Sequence, residues 1–198
     1  MQDDVYPWLR HVLEIIGFED YPACVFLKSH TDPCVEWQLG AEMIRACVVS
    51  GLVKLFPSAD KHGCPSDEDV LDRLVREDPE QRESPDSEVG NVWRVTYLVG
   101  TARCQSLLAR HGFLDCRTAL ILAEDADQRT ASTALGSSGE MPLGANLQAR
   151  ARRLRALAEQ STEMERAVVP QVRQKAFTAE LDSLFSSHRV LQYSGEQP

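Results

Sequence analysis

PCVEWQLGAEMIRACVVS, residues 33–50, is the stretch around which the rest of the chain has to be arranged. Asp32 can cap the first free amides of a helix, and Pro33 fits the first helical position without losing a hydrogen bond. Val35, Trp37, Leu39, Met43, Ile44, Cys47, Val48 and Val49 then spread around most of a helical circumference, which predicts a central, buried helix. With a helix at the hub, the expected architecture is mainly α: about six or seven helices, with a small two-stranded β element formed by residues 51–57 and 92–99.

Upstream, Val5, Trp8, Leu9, Val12, Leu13 and Ile16 recur at steps of three and four, so residues 5–16 are expected as an amphipathic helix. Gly17 is expected to end it in the left-handed conformation, with Phe18 folding back on the last turn. Residues 22–28 (PACVFLK) read either as a strand or as a buried helical turn. GFED at 17–20 has an echo in GFLD at 112–115, and both read as punctuation at a helix end rather than as a duplicated site.

Downstream, GLVKLFP at 51–57 alternates and ends at a proline, and VWRVTYLV at 92–99 is rich in β-branched and aromatic residues. Between them Ser66 to Asp69 form a near capping box opening an acidic helix over 67–77, followed by a polar loop at 78–90. Helices are expected over 101–111, stopped by Gly112, and over 115–134, capped by Asp115. LGSSGEMPLGAN at 135–146 reads as a linker, which divides the chain into a main helical domain (1–135), a linker (136–146) and a C-terminal helical hairpin (147–190) packing on the main domain. In that hairpin Thr162 and Glu165 read as a capping box opening the last helix, and Pro170 should kink or divide it.

The chemistry is defined largely by what is missing. There is no phosphate-cradling glycine loop, and the histidines His11, His30, His62, His111 and His188 fall in no nucleophile or metal motif. The pairs His30/Cys34 and His62/Cys64 lack a second half at zinc-ligand spacing, and Glu124-Asp125-x-Asp127 reads as a solvated acidic face. No metal, cofactor or catalytic residue is therefore assigned. Two aspartates stand where an export signal would carry basic residues and no long apolar run occurs, so a cytoplasmic protein with reduced thiols and no membrane contact is expected.

The order helix, strand, helix, strand across 33–99 resembles a winged-helix unit, but the charges contradict DNA binding. The helix that would enter the groove reads DEDVLDRLVRE, and its carboxylates would face phosphates. Residues 1–90 hold 19 Asp and Glu against 8 Lys and Arg, net −11, while the remainder holds 11 against 13, net +2, which gives the total of −9. Asp67, Glu68, Asp69, Asp72, Glu77, Asp78, Glu80 and Glu83 are the candidate partner-binding residues, an acidic surface for a basic protein. The expected function is that of an immunity protein or antitoxin occluding a basic toxin domain. The alternatives are an enzyme with dispersed catalytic residues, or a helical adaptor acting through Arg150, Arg152, Arg153 and Arg155.

Overall fold

The computed structural model describes residues 5–27, 33–56, 65–79, 91–136 and 141–193. The protein is mainly α-helical with a small three-stranded antiparallel sheet. It divides into two compact units, Met1–Cys104 with Thr178–Pro198, and Gln105–Phe177. Among the described residues no helix is long and apolar enough to cross a membrane.

In the first unit, α1 (Val5–Ile16) buries Trp8, Leu9, Val12, Leu13 and Ile16, as its periodicity requires. Trp8 meets Phe26 edge to face, with ring centroids 5.8 Å apart. Phe26 belongs to a 3-10 turn (Ala23–Leu27) that follows β1 (Tyr21–Pro22), so residues 22–27 of the ambiguous segment resolve into a short strand end and a buried helical turn. α2 (Pro33–Val49) buries Ala41, Met43, Ile44 and Cys47 but leaves Val48 half-buried and Val49 39% exposed, so it has a solvent side that its apolar content concealed.

Gly112 ends its helix as expected, and Gly17 does not adopt the left-handed conformation. Among the described residues the left-handed glycines are Gly51 (φ 71°) and Gly112 (φ 68°), not Gly17. At the end of α2 the Gly51 amide donates to Val48 O (2.9 Å) and the Leu52 amide to Cys47 O (2.9 Å), a Schellman closure. The same pattern ends α5 (Ala102–Arg110), where Gly112 donates to Ala109 O (3.1 Å) and Phe113 to Leu108 O (2.8 Å). A Cβ added to Gly100 would lie 2.7 Å from Ile16 O and 2.8 Å from Gly17 Cα, so the backbone leaving α1 touches that of β3 (Tyr97–Gly100).

β3 is the central strand. It pairs with β2 (Val53–Phe56) in the register Val53↔Gly100 to Phe56↔Tyr97, and with β1 through Tyr21↔Leu98 and Pro22↔Tyr97. The pairing of 51–57 with 92–99 is thus realised, with β1 as an additional edge strand. β2 and β3 are separated in sequence by α3 (Asp67–Arg76) and α4 (Val92–Val95), so they form no hairpin wing. The first half of the expected strand 92–99 is instead one helical turn. Asn91 Oδ1 accepts the Trp93 amide (3.0 Å), and burial of Trp93 overrides the β propensity of the flanking valines.

The second unit is built on α6 (Cys116–Gly136) and α7 (Met141–Ala167), which pack along one another, so both helices flanking residues 137–140 lie in the same unit. Small buried residues, Ala119, Ala123 and Ala126 on α6 and Ala151 and Ala158 on α7, suit close helix approach. Asp115 caps α6, its Oδ1 accepting the amides of Arg117 (3.0 Å) and Thr118 (3.2 Å). Its hydrogen bond from the Thr118 hydroxyl, together with those amides, holds its carboxyl below the ordinary aspartate pKa. The expected capping box at 162–165 does not form: Thr162 Oγ1 donates to Ala158 O (2.9 Å) inside α7, which runs on to Ala167. The break falls at Val168 and Val169, and α8 (Pro170–Tyr193) opens with Pro170 at its first position.

Cys47 and Cys104 are fully buried in the first unit, and Cys24 and Cys116 are partly accessible. Burial pushes the Cys104 thiol up to about 12, and burial together with the neighbouring Cys104 raises that of Cys47 further. Unfolded thiols ionise near about pH 8.5, so both residues favour the folded state fully below that pH and progressively less above it. The stability of the wild type is expected to fall from about pH 9 upward, and less steeply in the double variant Cys47→Ala/Cys104→Ala. Urea midpoints measured across that range check this.

Candidate functional site

The acidic helix α3 starts where its sequence signal lies. Ser66 Oγ accepts the Asp69 amide (3.2 Å), and the Ser66 amide and hydroxyl donate to Asp69 Oδ2 (3.3 and 2.6 Å). Val70, Leu71 and Leu74 turn into the core. Asp67, Glu68 and Asp69 sit in the first turn and Arg73 and Arg76 in the last, each sign at the end of the helix dipole that favours it.

The eight candidate residues do not act as one set. Arg45, reaching over from α2, donates from Nη1 to Glu68 Oε1 and from Nη2 to Asp72 Oδ1, both at 2.8 Å. Burial works against the Arg45 charge, but the bonds to Asp72 and Glu68 outweigh it and lift its pKa above the ordinary arginine value. Arg73 Nε donates to Glu77 Oε1 (2.7 Å), while Glu77 Oε2 accepts the Val92 amide (3.2 Å). The Trp93 indole donates to Glu77 O (2.9 Å) and the Asn91 amide group to Asp78 O (2.9 Å), so the end of α3 anchors α4.

Asp69, Asp72 and Glu77 are therefore used by the fold. Asp67 is exposed and has no partner among the described residues, and Glu68 remains 68% exposed while paired. Asp78 is exposed. Glu80 and Glu83 lie outside the described residues. Glu68, Asp72 and Glu77 pair with Arg45, Arg73 and Arg76, and Asp67, Asp69 and Asp78 add three further carboxylates, so these nine groups are balanced three against six and the surface is negative. Arg45 joins this surface from 23 and 27 positions away from its partners, a separation that carries no local sequence signal.

The remaining candidates are distributed as follows. Asp125 pairs with Arg129 (2.9 Å) and Asp127 with Arg155, leaving Glu124 exposed. Among the described residues no group of three or more His, Cys, Asp or Glu is arranged to hold a metal ion. His30, His62 and Cys64 lie outside the described residues, and nothing is described of the Cys34 side chain. On α7, Arg150, Arg152 and Arg153 are exposed, and Arg153 Nη2 donates to Gln105 Oε1 (2.7 Å). Comparison with family models, curated proteins and solved structures gives no match to this chain.

Proposed function

We propose that this is a protein-binding protein that docks a basic partner on the exposed start of α3, and that it acts as an immunity protein or antitoxin covering a basic toxin domain. The supporting observation is that Asp67, unpaired among the described residues, and Glu68, 68% exposed though paired with Arg45, project from a helix whose other carboxylates are neutralised or locked in caps. The charge offered to a partner is thus carried on a rigid element, the arrangement that speeds encounter and fixes orientation. The overall net charge of −9 adds a long-range attraction for cations.

The division of roles on α3 dictates the test. Reversing Asp69, Asp72 or Glu77 disturbs the cap, the more buried Arg45 bond or the α4 anchor, whereas Asp67→Lys/Glu68→Lys gives up the exposed Arg45–Glu68 bond and leaves Asp72 paired with Arg45. In capture from lysate at low salt, the wild type is expected to retain a basic protein that the double variant loses while its circular dichroism is unchanged. Retention of the same protein by both forms contradicts the reading.

A further inference from the structure

We propose that the flank of α7 carrying Arg150 and Arg153, beside Gln105, binds a phosphate-class oxyanion. The two arginines are spaced i, i+3 and share one side of the helix, with Cβ atoms roughly 5–6 Å apart. Arg153 Nη2 donates to Gln105 Oε1 (2.7 Å), a neutral acceptor. Among the described residues neither Arg150 nor Arg153 has a carboxylate partner, while Arg155 on the opposite flank pairs with Asp127 and Arg129 of α6 with Asp125. Burial, and then the charge of the neighbouring Arg150, press the Arg153 pKa below the ordinary arginine value, which places the two guanidinium groups within electrostatic reach of each other.

A carboxylate can span two guanidinium groups, as Asp72 does between Arg45 and Arg76, but its single charge offsets only one of them. A phosphate group, close to doubly charged at neutral pH and with three acceptor oxygens, bridges two. Arg152 points to a different side of α7, so the flank offers two cations at one spot rather than the extended track that a nucleic-acid backbone needs, and the net charge of −9 opposes a long polyanion. The ligand chemistry is thus a single phosphoryl group, either free phosphate or one carried on a larger molecule.

The test is calorimetric titration of the full chain with inorganic phosphate, against sodium chloride at equal ionic strength. Saturable one-to-one binding on the order of millimolar is expected with phosphate and not with chloride. Arg150→Gln, which removes no bond seen in the structure, should weaken it at least about tenfold, and Arg152→Gln should leave it unchanged. Equal binding of O-phosphoserine and phosphate assigns the site to the phosphoryl group alone, and tighter binding of O-phosphoserine assigns it to a carried one. Equal heats with phosphate and chloride, or equal losses in Arg150→Gln and Arg152→Gln, overturn the proposal, as does tighter binding of a short DNA duplex that Arg152→Gln weakens equally.

Discussion

Gly112→Ala is expected to destabilise the second unit by about 3 kcal/mol or more, read as a lowered urea midpoint. Two costs combine. An alanine at φ 68° is strained by about 1–2 kcal/mol, and its Cβ would stand 2.9 Å from Glu165 N and 3.2 Å from Ser161 O, backbone atoms of α7 that cannot rotate away. The same atom would press on Arg173 Nη1 at 2.8 Å. That buried arginine donates to Gly112 O (2.5 Å) and lies 5.0 Å over the Phe113 ring, so the corner joining α5 to α6 is fastened to α7 and the start of α8 at one point. Gly51→Ala supplies the control: its φ is equally positive, yet its nearest neighbour is the flexible end of Arg103 at 3.8 Å, so about 1 kcal/mol is expected. Equal losses at both positions would show that crowding against α7 is not the larger part.

Trp93→Ala is expected to cost about 3–5 kcal/mol in the first unit, a large share of the roughly 5–15 kcal/mol that holds a typical domain folded. Trp93 is fully buried, its ring lies near Gly40 of α2, and its indole N–H satisfies Glu77 O. Removing it opens a cavity and leaves a carbonyl at the end of α3 without its donor. Far-UV circular dichroism against urea measures the loss. A loss below about 1 kcal/mol contradicts the role of Trp93 as the link between α3 and the core.

What could be read in advance follows from the range of the interactions. The stripe of α1, the cap at Ser66 and the cap at Asp115 are legible because each is made by residues within one or two turns of each other. The VWRV turn is not, because its conformation is decided by Glu77 and Asp78, which hold Asn91, Val92 and Trp93 from 13 to 16 positions away. Gly17 does not take the left-handed conformation its position suggests, and the glycine that the close approach of α1 and β3 requires is Gly100, far away in sequence. Thr162-x-x-Glu165 matches a start signal yet falls in the closing turns of α7, which Leu154, Ala158 and Ser161 bury along its length. At the candidate site the carboxylates were visible as composition. Their division into structural and free groups depended on Arg45, which only folding brings to them.

The most direct measurement of the central claim is the association rate of the captured partner with the wild type, with Asp67→Lys/Glu68→Lys and with Arg152→Glu, over a range of salt. The docking account predicts an on-rate at least about tenfold slower for the acidic reversal at low salt. It also predicts a wild-type rate that falls as salt shortens the Debye length below about 10 Å, and an Arg152→Glu rate close to wild type. An unchanged rate in the acidic reversal, with binding abolished by Arg152→Glu, contradicts the account and transfers the docking surface to α7.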